Sequence, residues 1–470
     1  MGYGPDGCPF VGAVPDAENL WMAASFQGHG MVMCWMCAKA LAAMVDGRDD
    51  DELKKWFPNA FPGGGIAGLA TAIALRGPNR RITILERSRM LGEVGALISL
   101  QPNATKIVAK WGIDKFLDQA EPMADRAFRL YDVEGKMLRE IGLATKDFGA
   151  DRMLYHRQDL HKGLLDASTS PDLPGPPATV RTSSAVASCD PDAGTVTLQS
   201  GETLEADLII GADGIHSAVR TAVLGEERSA IPTGISAYRL LIPFEDIKNL
   251  HLPAKMLEFT PTEGSTSMIL GHDKRVIMGP GRGGKMFGVV ALVPDEKMNE
   301  ESSTSSWVET GSRQKLMESY ADFPDWLKDI FTQAPDIALW QLRDIDPLPT
   351  WTKARAILIG DAAHAMLPTQ GQGASQSVED AEALQAFLKN VSSDRRPSAE
   401  EITSALQAVF AARYERASLI QLYSRQQAKP ATDSKTSNKV TLDPGQFMKY
   451  NCDYDGAEDW VARQRAKSLD

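Results

Sequence analysis

A glycine turn running straight into an alanine-rich apolar segment, Gly63-Gly64-Gly65-Ile66-Ala67-Gly68-Leu69-Ala70-Thr71-Ala72-Ile73-Ala74-Leu75, constrains this chain more than any other stretch. Gly63, Gly65 and Gly68 fit G-x-G-x-x-G. In that pattern the first glycine allows a tight turn, the second lets backbone approach a pyrophosphate, and the third lets a helix pack closely on a sheet. Phosphates would sit at the helix N-terminus, where free N–H groups and the positive end of the dipole attract anions. A buried small-residue helix gives the same pattern, so the flanking sequence decides. After the Gly77-Pro78-Asn79 break, Arg81-Ile82-Thr83-Ile84-Leu85 is a β-branched run ending at Glu86, close to the ~20-residue offset of a ribose-binding carboxylate. Glu86 is the expected ribose ligand.

A buried strand of about five apolar residues should open such a motif. Trp56-Phe57-Pro58-Asn59-Ala60-Phe61-Pro62 stands there instead, and proline cannot donate to a sheet ladder. The first strand is therefore expected to be missing, with unpaired backbone left on its neighbours and weakened nucleotide binding.

At 470 residues, 43% hydrophobic and 24% charged, the chain reads as globular with two structural domains. A net charge of −12 argues against a nucleic-acid partner or an anionic membrane surface. Five irregularly spaced cysteines suggest a reducing compartment, and a cytoplasmic location is expected. Leu20 to Ala38 lacks Asp, Glu, Lys and Arg, but Ser25, Gln27, Gly28, His29 and Gly30 interrupt it, so no membrane span is expected. Met1 to Asp16 has no basic start and does not read as a signal peptide. Cys34-Trp35-Met36-Cys37 has no second ligand pair and reads as packing; no metal site is expected. No G-x-S-x-G elbow follows a strand, which leaves hydrolysis of the Ser-His-Asp kind unsupported.

Beyond the glycine turn, Gly95-Ala96-Leu97-Ile98, Gln101-Pro102-Asn103-Ala104 and Tyr155-His156-Arg157-Gln158-Asp159-Leu160 lead to two further motifs. One is Ala206-Asp207-Leu208-Ile209-Ile210-Gly211-Ala212-Asp213-Gly214, a buried strand breaking into an Asp-Gly turn. The other is Arg355-Ala356-Ile357-Leu358-Ile359-Gly360-Asp361 through Leu367-Pro368, then Gln370-Gly371-Gln372-Gly373-Ala374. From Gly63 onward the chain resembles the class A flavoprotein monooxygenases of the para-hydroxybenzoate and salicylate hydroxylase kind. The resemblance implies FAD held by Gly63, Gly65, Gly68, Glu86, Ala96, Arg157, Asp213, Gly214, Asp361, Pro368, Gly371, Gly373 and Ala374. It places Asp361 on the ribityl chain, Pro368 beside the isoalloxazine and the Gly-Gln-Gly helix start at the flavin pyrimidine. NADPH or NADH would bind transiently near Asp213 and Arg220. Residues 1 to 61 instead resemble the carboxyl-terminal end of D-amino-acid-oxidase-like flavin oxidoreductases, with Gly28-His29-Gly30 and a helix from Met31 to Met44; His29 is given no catalytic role.

The implied fold is α/β: a Rossmann-like FAD-binding domain lacking its first strand, an inserted β-sheet substrate domain, and C-terminal helices. The expected divisions are 1–61 as a possible gene fusion, 62–235 and 346–390 for FAD, 236–345 for substrate, and 391–470 for the helical end. Strands are expected at Tyr238 to Pro243, Ser267 to Leu270, Arg275 to Met278 and Phe287 to Val293, with Tyr238 and Arg239 facing substrate. The implied chemistry is hydroxylation of an aromatic or other electron-rich small molecule by NAD(P)H and dioxygen through a flavin C4a-hydroperoxide. Epoxidation and oxidative decarboxylation use the same motifs and stay open, as does a misassembled fusion that binds FAD poorly.

Overall fold

The computed structural model describes residues 10–13, 21–24, 57–88, 96–297, 309–389, 391, 395–428 and 440–467. One compact unit comprises residues 1–56 with 394–396, and the other spans 57–393 and 397–470. In the first, Phe10–Ala13 pairs antiparallel with Trp21–Ala24. His29, the Cys34–Cys37 pair and the helix expected from Met31 to Met44 lie outside the described residues.

The second unit carries fourteen elements that shape the site in its first half: β1 (Phe57–Pro62), α1 (Ile66–Ala74), β2 (Arg80–Leu85), β3 (Leu97–Leu100), α2 (Pro102–Trp111), β4 (Met123–Tyr131), β5 (Met153–His156), α3 (Arg157–Thr169), β6 (Thr179–Arg181), β7 (Leu208–Gly211), α4 (Ala218–Leu224), β8 (Ile231–Pro243), β9 (Glu263–Leu270) and β10 (Arg275–Gly281). Then come β11 (Met286–Pro294), β12 (Ile337–Asp344), β13 (Thr352–Lys353), β14 (Ala356–Leu358), α5 (Asp361–His364), α6 (Gly373–Leu388), α7 (Ala399–Ala428), α8 (Pro444–Cys452) and α9 (Ala457–Lys467).

Six strands form a sheet in the order β13-β14-β7-β1-β2-β6, parallel throughout except for β13 against β14. The first strand is thus present, and this corrects the expectation that it is missing. Backbone direction explains why two prolines are tolerated. Alternate residues of a parallel strand point their N–H groups at opposite neighbours. Gly63 N–H donates to Leu85 O, and Pro62 O accepts from Ala212 N–H, so odd positions donate toward β2 and even positions face β7. Pro58 and Pro62 are both even. The ladder with β7 covers only Asn59 and Ala60, whereas pairing with β2 runs unbroken from Phe57 to Pro62. The prolines therefore bracket the short ladder and leave the long one intact. With the strand in place, the physical ground for expecting poor FAD binding is gone.

α1 lies on this sheet with Leu69, Ala70 and Ala72 fully buried, packed between the strands, α3 and α6. Small side chains let all three approach closely. Thr195–Leu198 pairs antiparallel with Thr203–Glu205 in a separate small sheet.

The second sheet has ten strands, with β8 between β12 and β11, continuing through β10, β9, β4 and β5 to β3. Every strand expected between Tyr238 and Val293 falls in it. The sheet is not one insertion at 236–345, however, because β3, β4 and β5 come from residues 97–156 and β9 pairs parallel with β4. Alternation marks a strand but not its partners. One face of this sheet buries Tyr131, Tyr238, Leu240, Ile242 and Phe287; the other faces a cavity shared with the parallel sheet.

Candidate active site

A cavity of about 740 Å³ lies between the two sheets. Its first wall is the glycine turn. Gly63 has φ +110°, and a Cβ there would fall 2.1 Å from Ala212 O. A Cβ on Gly68 would fall 2.0 Å from Gly63 O, whereas one on Gly65 would meet nothing within 4 Å. Gly63 and Gly68 thus serve packing, and Gly65 keeps space open at the first turn of α1. Gly65, Ile66 and Ala67 line the cavity, and Gly65 as N-cap offers no side-chain acceptor to the first N–H groups, which suits a bound anion.

Glu86 follows β2, and its Oε2 accepts from Gly64 N–H at 2.9 Å and its Oε1 from Ser88 N–H at 2.7 Å. It braces the glycine turn and keeps lone pairs for a further donor. His161 Nε2 meets Gly64 O at 2.7 Å, fixing the turn from α3. Ala96 is buried, and its carbonyl accepts from Arg157 N–H at 2.8 Å, which sets Arg157 on the cavity wall.

The second wall comes from the Gly-Asp turn after β14. Gly360 has φ +55° and packs so closely on α1 that a Cβ would lie 2.8 Å from that of Ala67. Asp361 is exposed to the cavity. Pro368, Gly371, Gly373 and Ala374 line it as well, and a Cβ on Gly373 would meet nothing within 4 Å. The N-terminus of the 16-residue α6 therefore opens into the same cavity as that of α1.

Asp213 and Arg220 both brace the turn that follows β7. The Asp213 carboxylate accepts from Ser217 Oγ and from the N–H groups of Ala218 and Val219, capping α4; Gly214 beside it lines the cavity. Arg220 is buried, and its guanidinium donates to the carbonyls of Arg228, Ala362 and Ile215. The Arg220 guanidinium thus holds backbone beside the place where nicotinamide is expected. Sequence offers no sign of this, since a surface arginine on a short helix looks the same.

The substrate-facing wall is β8 with its neighbours. Strand alternation sends Arg239 into the cavity and Tyr238 into the opposite core, where it is fully buried; Tyr238 is not at the cavity. The Arg239 guanidinium sits 4.1 Å from the Trp340 ring centroid. Burial, with some help from the nearby charge of Arg157, pushes its pKa down to about 10, so it stays cationic at neutral pH. Among the described residues, Arg152, Arg157, Arg239 and Arg275 line the cavity against the single carboxylate of Asp361. Arg152 is backed by fully buried Asp125 at 3.4 Å.

Sequence reasoning missed the ion network under α6. Glu379 and Asp380 are buried together with Arg413 and Arg416 of α7. Arg416 donates to both Glu379 oxygens at 2.8 Å, Arg413 Nε to Asp380 at 3.0 Å, and Arg413 also pairs with Glu379. Asp380 further takes His364 Nε2 at 2.7 Å and Gly360 N–H at 2.9 Å, and Asn103 Nδ2 reaches Glu379 at 2.5 Å. Burial alone would raise the Asp380 pKa, but His364 and Arg413 outweigh it and bring it to about 2. The available signal was the spacing Val409, Ala412, Arg413, Arg416, Ala417, Ile420, which puts both arginines on the buried stripe of α7.

The FAD binding domain family matches residues 62–400. Hispidin-3-hydroxylase of Neonothopanus nambi is 34% identical over 69% of this chain and 79% of its own length. An FAD-dependent monooxygenase of Aspergillus candidus is 30% identical over 87% of this chain and 94% of its own. Among solved structures, a salicylate hydroxylase substrate complex aligns with TM-score 0.66 and 28% identity, covering 81% of this chain and 92% of that one.

Proposed function

Because this chain belongs to the FAD-dependent monooxygenase family, we propose that the cavity holds FAD along the wall formed by α1 and α6 and a hydroxylatable aromatic against β8. The observation that carries this reading is the convergence of two open helix starts, at Gly65 and Gly373, with Asp361 on one cavity. The chain's glycines fit the cofactor because they leave room where any side chain would intrude. Gly65 and the first N–H groups of α1 would take the pyrophosphate, Glu86 the ribose, Asp361 the ribityl hydroxyls, and Gly371, Gly373 and Ala374 the ring end, with Pro368 beside it.

When bound, FAD supplies the redox chemistry, drawing on NADPH or NADH and on dioxygen. The residues do the rest. The α6 dipole favours negative charge at the ring end. Arg239, cationic and partly desolvated, would draw the acidic group of the aromatic and set which carbon faces the flavin. Apolar side chains such as Leu97, Phe128 and Val290 exclude water around it.

No helix among the described residues is long and apolar enough to cross a membrane. The cytoplasm is the proposed location, supported by the irregular spacing of the five cysteines and tested by cell fractionation. The functional reading is tested by the visible spectrum of the purified chain, by NADPH and oxygen consumption with hydroxylated aromatics, and by product mass. A colourless, cooperatively folded protein, or a product lacking one added oxygen, would reject it.

A further inference from the structure

Arg152 stands one residue before β5, and the backbone there is held from two sides. Its carbonyl accepts from Asp125 N–H at 2.8 Å, and the carbonyl of Asp151 accepts from Thr105 Oγ1 at 2.8 Å. The side chains part at this point. Asp151 turns to a partly exposed ion pair with Arg126 at 2.7 Å, whereas Arg152 lines the cavity.

The Arg152 guanidinium is backed on one side and open at its end. Nε stands 3.4 Å from Asp125 Oδ2, on a wholly buried carboxylate that accepts from Thr266 N–H at 3.1 Å and from Thr266 Oγ1 at 2.7 Å. Nη2 reaches the Gly371 turn: a Cβ on Gly371 would lie 3.9 Å from it, with Gln101 Nε2 at 3.2 Å and Ser99 Oγ at 3.3 Å from the same point. Among the described residues, Asp125 is the sole ion partner of this guanidinium, and no acceptor takes a hydrogen bond from its Nη groups. A guanidinium carries five N–H donors and no acceptor. Donors left unspent on protein at a cavity wall ask for an acceptor inside it.

Resting on the FAD reading above, which puts the ring end of the cofactor at Gly371, Gly373 and Ala374, we propose that Arg152 is a catalytic cation: its Nη end faces that ring end and favours the negative charge that reduction leaves there. A hydride from the nicotinamide brings two electrons and one proton to a neutral ring, so one negative charge stays with it as the oxidised nicotinamide departs. The α6 helix start offers about half an elementary charge, and Arg152 adds a full one beside the same turn. Hydrogen bonds to an ionised partner are roughly twice as strong as those between neutral groups, so this cation favours the reduced ring over the oxidised one. Asp125 acts through Arg152 as a positioning residue.

The test measures the midpoint potential of FAD bound to the full chain, together with its affinity for oxidised FAD. Arg152→Gln should favour reduced over oxidised FAD about 10- to 100-fold less than the parent does, which lowers the two-electron potential by about 30–60 mV at about 30 mV per tenfold. Oxidised FAD should bind within about tenfold of the parent, and Arg152→Lys, which keeps the charge, should recover most of the potential. Melting temperature reports folding. If Arg152→Gln does not fold, the comparison is made against Asp125→Asn, in which no buried carboxylate is left unpaired. A folded glutamine variant with the parent's potential overturns the proposal, and one whose benzoate affinity falls while the potential holds makes Arg152 a substrate ligand instead. A lysine variant no better than the glutamine one also overturns it. A parent that binds no FAD sinks the cofactor reading and this inference together, whereas a parent that binds FAD and hydroxylates, with its potential unmoved by Arg152→Gln, sinks this inference alone.

Discussion

The carboxylate of Asp380 accepts the backbone N–H of Gly360 at 2.9 Å, so the turn presenting Asp361 to the cavity is held by a buried residue of α6 itself. Asp380 is also the partner of His364 and Arg413. Replacing it with alanine leaves Arg413 buried with half its compensation, and Asp380→Ala should cost about 3–5 kcal/mol and release FAD, read by thermal melting and flavin fluorescence.

The same residue fixes an acid limit. Its pKa is about 2 against an ordinary 3.8. A depressed carboxylate contributes stability that is fully present above the unfolded value and lost as pH falls through the folded one. About 2 kcal/mol should therefore disappear between pH 4 and pH 2. Melting temperatures across that window should fall less steeply in Asp380→Asn than in the parent.

Asp361 has no such structural duty. Asp361→Ala should keep the parent's melting temperature without cofactor and weaken FAD binding by about 1–3 kcal/mol. Equal affinity in a fluorescence titration would remove Asp361 from the cofactor site.

The glycines of the turn should separate cleanly. Gly63→Ala places its Cβ against Ala212 O at a φ of +110° and should destabilise the fold by about 1–3 kcal/mol. Gly65 has an extended φ of −78° and open space beside it, so Gly65→Val should fold normally and purify without flavin.

Arg239 should make aromatic binding sensitive to alkali. With its pKa at about 10, affinity for benzoate should hold from pH 7 to about 9 and fall as pH passes 10. Arg239→Gln should lose about 10- to 100-fold at pH 7, with a flat profile. A parent profile unchanged to pH 11 would show that Arg239 keeps its charge there, and an Arg239→Gln variant that binds benzoate as the parent does would exclude the guanidinium from the binding step.

The nucleotide half of the molecule was legible because its motifs are local: a glycine whose Cβ would strike the next strand, or a Gly-Asp turn ending a buried run, declares itself within a few residues. Arg239 could be named, but its neighbour Tyr238 was named with it, since nothing short of the strand's phase says which of two adjacent residues faces a ligand. Arg220 and Glu379 were illegible for a common reason. Each is buried by packing that its own stretch does not announce, and a polar residue on a helical pattern reads as solvated until that packing is seen. Phe57–Pro62 failed differently: proline was weighed as a residue type, when its cost depends on which neighbour its missing N–H would have faced.

That one-sidedness has a consequence for assembly. A strand able to donate along its full length to only one neighbour carries a direction across the sheet as well as along the chain. Were β1 to exchange its flanks, the long ladder would fall on the face where Pro58 and Pro62 have nothing to give, and two bonds would vanish from the middle of the sheet. The prolines thus act as a key that fits β2 along its length and β7 only between them.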